Sequence, residues 1–357
     1  MNFKFSSFCD YLIVLFLIVF SSCEGRKNNS LSFINSGNNG INEEISINKI
    51  EGEKMLLEQD IISAKQIKIF NQKLFVKTKK KDGFIKQFDL EGRFISSYFH
   101  MGSGPGEVLN ISSFGFNFNK DNSYIYGNDM IQNKMVYFTL DDSLDVQFET
   151  LLFSAIPISK ELILGVPIES DNMFGYYNFS GKPIKSFGAF PNSEITDMNY
   201  ILSQAFVGTY DYNFEKNVFV AALLYTDYIM IFPEIGKDEN SIEIRGPLFY
   251  DPIYSVTNLH DNPMFTQNKN SRISYVDVVL TENEIIGLFS GYSRGEMAGM
   301  PIYGDKLFIF NYEGKIMKAY EISEKLSSIT YDSVNKVLYG LDNISSGDEQ
   351  LYKYNIN

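Results

Sequence analysis

The sequence predicts an all-β fold, a six-bladed β-propeller with four-stranded blades, standing behind a cleavable leader. Three observations carry this: a turn motif that recurs along the chain, a spacing between its copies close to blade size, and no long stretch of helical period. The composition agrees. Of 357 residues 44% are apolar and 15% aromatic, with 31 Phe, 23 Tyr and no Trp, which supplies a large core and leans towards strand formers. Length alone would suggest two domains, but all-β propellers run long as single domains.

The leader comes first. Lys4 supplies a weak positive start, and Tyr11–Phe20 (YLIVLFLIVF) is an unbroken apolar run. The run is shorter than the roughly 20 residues a membrane span needs and has the length of a signal-peptide core. Ser21-Ser22-Cys23 follows and resembles the lipobox read by lipoprotein signal peptidase, although Phe20 stands where Leu is usual. Cleavage before Cys23 would leave a diacylated cysteine at the new N-terminus and a membrane-held protein. An ordinary secretory signal with an incidental cysteine is the alternative. Residues 1–22 are therefore expected to be a lipoprotein signal peptide, 23–44 a flexible tether rich in Asn, Ser and Gly, and 45–357 the propeller. The only other cysteine is Cys9, so the body has no disulfide and no thiolate metal site.

The net charge is −13, unchanged by loss of Lys4 and Asp10 with the leader. An acidic body repels nucleic acid and anionic lipid surfaces, so no nucleic-acid partner is expected. The local exception, Lys77, Lys79, Lys80 and Lys81, lies between Phe75-Val76 and Asp82-Gly83 and reads as a solvated hairpin tip rather than a ligand patch.

Three segments of the body align without gaps: Phe88-Asp-Leu-Glu-Gly92-Arg93, Tyr177-Asn-Phe-Ser-Gly181-Lys182 and Phe310-Asn-Tyr-Glu-Gly314-Lys315. Each has an aromatic four residues before Gly, Asp or Asn three before, and a base after. This is hairpin chemistry: Gly takes the positive φ of a tight turn and Asp or Asn favours turn geometry. Weaker copies, Phe138-Thr-Leu-Asp-Asp142 and Phe232-Pro-Glu-Ile-Gly236, keep the aromatic. Tyr354-Asn-Ile-Asn357 matches the approach to a sixth turn. The spacing averages about 53 residues, near the 40–50 of a propeller blade. The excess falls in Gly246–Ser271, an expected excursion between blades. A sixth unit ending at Asn357 would lack its outer strand, and a bare edge invites aggregation. The alternating segment Ile45-Ser-Ile-Asn-Lys-Ile50 is expected to supply that strand and close the ring, in preference to an open solenoid. A second match, Ile125-Tyr-Gly-Asn-Asp129 with Leu338-Tyr-Gly-Leu-Asp342, places a second strand ending in Asp before the third.

The segment Phe99-His-Met-Gly102-Ser-Gly104-Pro-Gly106-Glu107-Val108 follows the first turn. With Asp89-x-x-Gly92-Arg93 upstream and Tyr126-Gly-x-Asp129 downstream, it resembles the six-bladed β-propeller lipoproteins of Bacteroidetes, an NHL-like or TolB-like propeller group. The resemblance covers residues 60–140 well and the remainder through the repeat. It implies a cell-envelope lipoprotein, expected at the outer membrane, of a family without a general activity.

Gly102–Glu107 is no Walker A loop, since no Gly-Lys-Ser/Thr follows, and it lacks Rossmann spacing. A rigid turn between blades, with Glu107 bonding nearby amides, is the plainer reading; a ligand loop is the other. Two histidines, His100 and His260, and no nucleophile elbow leave no catalytic set. No cofactor is expected, and the residue types allow only an oxygen-ligated Ca²⁺ in a central channel. In a propeller the loops entering each inner strand and those between second and third strands share one face. That face should hold Gly102, Gly104, Gly106, Glu107, Asp129 and Asp342, with the insert Leu248–Phe265 over it. For Asp129 and Asp342 local turn bonding is the plainer role. Tyr292 and Arg294, in the Gly-rich Ser290–Glu296 stretch, could stack on and bond a sugar or peptide, or form a plain turn. The function expected is a tethered binding or scaffolding module for a protein or glycan; a metal-dependent hydrolase or lactonase-like propeller is the alternative.

Overall fold

The computed structural model describes residues 30–38, 40–79, 83–119, 122–138, 143–191, 198–234, 241–259, 262–344 and 349–356. The chain divides into two units, Met1–Ser30 and Leu31–Asn357. Apart from Ser30, everything described belongs to the second.

Four short strands come first: β1 (Ser30–Asn35), β2 (Ile41–Ser46), β3 (Asn48–Ile50) and β4 (Glu53–Met55). Antiparallel four-stranded meanders follow. The first is β5 (Gln66–Phe70), β6 (Lys73–Lys77), β7 (Ile85–Asp89) and β8 (Phe94–Tyr98). The second is β9 (Ser113–Asn119), β10 (Asn122–Asp129), β11 (Lys134–Phe138) and β12 (Ser143–Gln147), and the third β13 (Leu152–Pro157), β14 (Ile163–Pro167), β15 (Phe174–Tyr177) and β16 (Pro183–Phe187). After helix α1 (Asn199–Ala205) come β17 (Gly208–Asn213), β18 (Val218–Leu223), β19 (Tyr228–Phe232) and β20 (Ile242–Arg245), whose sheet β1 and β2 extend. The expected excursion is real and carries its own hairpin, β21 (Ser255–Leu259) with β22 (Asn262–Thr266).

The last sheet has β23 (Tyr275–Leu280), β24 (Glu284–Phe289), β25 (Gly304–Asn311), the long β26 (Ile316–Asp332), β27 (Val337–Asp342) and β28 (Gln350–Tyr354). β26 serves two meanders. Its Ile316–Glu321 part pairs with β25 and its Leu326–Asp332 part with β27. The architecture is that of an all-β propeller with almost no helix.

Local chemistry explains the repeat. The conserved-offset aromatics Phe88, Phe138, Tyr177, Phe232, Phe310 and Tyr354 all lie at or next to the end of a third strand of a meander, and all but Phe138 are buried. In the turns that follow, the Asp or Asn side chain caps the backbone: Asn178 Oδ1 accepts from Ser180 N and Lys182 N, both at 3.0 Å, and Asp89 Oδ1 accepts from Arg93 N at 2.8 Å. Gly181 has φ +77, and a Cβ there would lie 1.7 Å from Gln147 O of the preceding meander. Glu149 N donates to Gly181 O at 3.1 Å. The motif thus makes the turn and docks one sheet on the next, which hairpin chemistry alone did not foretell.

Two expectations need correction. The segment Ile45–Ile50 does not complete the last sheet. β4 does, pairing antiparallel with β28 through Met55 opposite Leu351 and Lys54 opposite Tyr352. Ile45 and Ile47 instead pack on the core between the fourth and fifth meanders, and β3 runs parallel to β26 at Tyr320–Ile322. Alternation alone did not distinguish two short neighbouring segments.

Nor is 23–44 wholly a tether. Phe33 is 1% exposed and meets Phe308 and Phe310 edge-on, at 5.1 and 5.4 Å between centroids. Asn35 Nδ2 donates to Glu313 O at 2.9 Å. The polar composition around Leu31-Ser-Phe33-Ile34 concealed a strand. Phe33→Ala should therefore cost about 3–5 kcal/mol of stability, read as a lower urea midpoint; an unchanged midpoint would return residues 30–35 to the tether.

Candidate functional site

In each antiparallel meander the first strand begins, and the second ends, at the same end of the sheet. The loops entering first strands and those after second strands therefore gather on one face. The Gly102–Glu107 loop enters β9, and Met130–Asn133 links β10 to β11.

The loop is held by its own groups. Gly102 N donates to Val108 O at 3.0 Å and Glu107 N to Gly104 O at 3.1 Å. Glu107 Oε2 accepts from Gly104 N at 2.8 Å. Gly106, at φ +74, donates to Asp145 Oδ1 at 3.1 Å. Lys134 is 6% exposed; its Nζ lies 2.8 Å from Asp145 Oδ2 and donates to Gly104 O at 3.4 Å. Gly104 and Gly106 thus bring backbone close to an ion pair whose lysine is buried and whose aspartate is partly exposed.

Asp129 is fully buried and joins this loop to the following turn. Its Oδ2 accepts from Leu109 N at 2.6 Å, Asn110 N at 3.4 Å and Gln132 Nε2 at 3.0 Å. Its Oδ1 accepts from Ile131 N at 2.9 Å and Gln132 N at 3.1 Å. With its lone pairs so occupied, the carboxylate fixes loop shape and has no capacity left for a metal or a substrate proton. The bonding is tertiary as well as local, since Leu109 lies across the sheet end.

Asp342 ends β27, and its Oδ1 accepts from Ile344 N at 2.8 Å, as a turn role requires. Tyr292 donates to Asp305 Oδ2 at 2.6 Å. Lys306 Nζ sits 5.1 Å over its ring and Tyr303 packs 5.6 Å away. Burial, with Asp305 beside it, raises the Tyr292 phenol above its ordinary value. Arg294 holds Ser271 O through its backbone N at 2.8 Å, and its guanidinium reaches Met297 Sδ at 3.7 Å. Gly102, Gly104, Gly106, Glu107 and Asp129 form one connected cluster. Tyr292 with Arg294, and Asp342, lie in separate loops of the same face. Cys23 and His260 lie outside the described residues.

Other groups were missed. Asp227, also fully buried, accepts from Leu248 N at 2.8 Å and Tyr250 N at 3.3 Å, anchoring the excursion as Asp129 anchors its loop. Burial raises its carboxyl above the ordinary range. Its place beside the turn from second to third strand was the available signal. Asp277 ties three first strands together: it accepts from Thr209 Oγ1 at 3.1 Å, Ser328 Oγ at 2.6 Å and Ile329 N at 3.0 Å. Lys77, read as a solvated loop residue, instead donates from Nζ to Ser112 O at 2.6 Å. Burial pushes its ammonium down to about 8. Lys80 and Lys81 lie outside the described residues.

The anchored loops carry exposed apolar side chains. Met101, Leu109, Met130 and Ile131 stand around the Asp129 cluster, and Leu248, Phe249, Ile253, Val256 and Met264 on the excursion. Single exposed apolar residues are ordinary; a group of them on rigid loops marks an interaction surface. Among the described residues no group of three or more His, Cys, Asp or Glu is placed to hold a metal ion, and no helix is long and apolar enough to cross a membrane.

Residues 43–334 match the family model described as TolB-like 6-blade propeller-like. Two solved structures share the fold. A member of the DUF4221 family from Bacteroides vulgatus is 11% identical, with a TM-score of 0.55, over 92% of this chain and 98% of its own. A Bacteroides fragilis protein assigned as exported is 13% identical, with a TM-score of 0.50, over 85% of this chain and 93% of its own. No curated protein matches in sequence.

Proposed function

The chain belongs to the TolB-like 6-blade propeller-like family, and on that premise we propose that it is an exported lipoprotein, held at the cell envelope through Cys23, that presents one loop face to a protein or glycan. The ring in this reading has six four-stranded blades, with β4 completing the last. The outer membrane is the membrane proposed. What carries the binding reading is the surface itself: exposed Met101, Leu109, Met130 and Ile131 on loops whose amides are pinned by a buried carboxylate. A surface ordered before contact loses little conformational entropy on binding. The exported assignment of the Bacteroides fragilis protein and the Ser21-Ser22-Cys23 leader support the location.

Two experiments test it. Cys23→Ser should move the protein from the membrane to the soluble fraction and remove acyl mass from its N-terminus; a variant still membrane-bound contradicts the anchor. In pull-downs from intact envelopes and on a glycan array, wild type should retain a ligand that the Met130→Glu, Ile131→Glu double variant loses, at unchanged Tm. Equal retention by both, or none by either, contradicts the binding face.

A further inference from the structure

Where the chain enters the domain decides which side of it an anchor at Cys23 can draw down. β1 pairs antiparallel with the end of β20, Ile34 opposite Arg245 and Asn35 opposite Ile244. A Cβ built on Gly246 would lie 2.6 Å from Ser32 O, so β1 begins beside the first residues of the excursion. The excursion leads into β23, a first strand, and so belongs to the loop face. Leu31 and Phe33 pack on the core, which fastens the strand almost to its first residue. Six residues, 24–29, stand between Cys23 and Ser30. Fully extended at about 3.3–3.6 Å per residue, that stretch reaches at most about 25 Å.

The rim beside this entry is apolar and held in place. Leu248, Phe249 and Ile253 are exposed. The amides of Leu248, Phe249 and Tyr250 all donate to the buried Asp227 carboxylate, Thr226 Oγ1 donates to Tyr250 O at 2.6 Å, and Arg245 pairs with Asp251 at 3.2 Å. Phe249 has φ +55, a region that bulky residues seldom enter, so an exposed aromatic side chain is kept here against a backbone cost. Charge does not oppose lipid at this rim. Residues 245–272 hold three bases and two acids, and residues 24–30 two bases and one acid, in a chain of net charge −13. The repulsion that an acidic body meets at an anionic surface therefore has no local source here.

We propose that Leu248, Phe249 and Ile253 rest on the membrane that holds the anchor, set shallowly between the lipid headgroups and the upper acyl chains. The inference rests on the anchor at Cys23 proposed above and goes beyond it: the short stretch after Cys23 limits the distance, and the position of β1 fixes the side. Apolar side chains of such a rim sit about 5–10 Å deep, at the boundary of headgroups and acyl chains. Three of them do not replace the acyl chains, since even one myristoyl chain binds only marginally, so Cys23→Ser still belongs in the soluble fraction. Met101, Leu109, Met130 and Ile131 belong to the second meander and its loops rather than to this rim, and they are left for the partner proposed above.

The chain has no Trp, so Phe249→Trp introduces a single indole as reporter. The acylated full-length mature protein carrying it is reconstituted in vesicles of phosphatidylethanolamine and phosphatidylglycerol, part of the lipid being brominated on its acyl chains. Val334→Trp is the control: Val334 is exposed in the turn from β26 to β27, and a turn between first and second strands lies on the opposite face. On reconstitution the Phe249→Trp emission should shift to the blue and fall by at least about half with brominated lipid, as befits a ring about 5–10 Å deep. The Val334→Trp emission should not change and should stay open to aqueous iodide. Ile253→Trp takes the place of Phe249→Trp should that variant fail to fold. Equal quenching in the rim and control variants, or none in the rim variant, overturns the inference. Flotation with the vesicles and acyl mass at Cys23 report the anchor separately. Without them the anchor and this inference fall together, whereas unquenched emission from floating protein overturns this inference alone.

Discussion

Gly181→Ala should lower stability by at least about 3 kcal/mol, seen as a fall of roughly 5–10 °C in Tm. Two terms add. The backbone sits at φ +77, where a Cβ costs about 1 kcal/mol. The new Cβ would also lie 1.7 Å from Gln147 O, and that oxygen belongs to the main chain of the neighbouring sheet, so no side-chain rotation relieves the overlap. Gly299 separates the terms. It has φ +84 with nothing within 4 Å of a built Cβ, so Gly299→Ala should show the conformational cost only. Equal effects for both would mean that the repeat glycine serves its turn and not the docking of one blade on the next.

Asp129→Ala should cost about 3 kcal/mol, because the lost carboxylate leaves several partly buried backbone donors unpaired. The amides of Leu109, Ile131 and Gln132 all point at it, at 2.6–3.1 Å. Hydrogen exchange resolves the effect locally. Peptides spanning residues 109–110 and 130–132 should exchange at least about a hundredfold faster, since exchange follows the free energy of local opening. Asp129→Asn, which keeps one acceptor oxygen, should fall between. If the two segments exchange as in wild type, Asp129 does not hold the loop face, and the pre-ordered surface loses its physical basis.

What the sequence made legible was local. The Asp or Asn to Gly turn can be read because its chemistry lies within five residues: Asn178 caps Ser180 and Lys182 itself. The excursion after Gly246 could be read from spacing. What stayed hidden depended on partners far away along the chain. Phe33 is a core residue only because Phe308 and Phe310 arrive beside it, and nothing in its polar surroundings announces them. Ile45–Ile50 alternates more cleanly than Glu53–Met55, yet Met55 is the residue buried with Leu341 and Leu351. For the site, Glu107 bonding a neighbouring amide was readable, being three residues from Gly104. The grip of Asp129 on Leu109 was not, since the partner is a backbone amide that any residue would supply. Lys77 looked solvated because it begins a basic run, but it ends β6, an interior strand of its sheet, where Ser112 O meets it.

The proposed closed ring is the frame on which the shared loop face depends, and whether it closes can be measured directly. Lys54 lies opposite Tyr352 in the β4–β28 pair, a spacing of about 4.5–5.5 Å between Cα atoms that suits a disulfide. The protein begun after Cys23 has no cysteine of its own, since Cys9 and Cys23 are the only two. A Lys54→Cys, Tyr352→Cys variant should oxidise to a single intramolecular disulfide, visible as the loss of two hydrogens in the intact mass, while Ile47→Cys, Tyr352→Cys stays reduced. A bridge in the second pair alone would put the wrong strand at the seam, and a bridge in neither pair would contradict the closed ring.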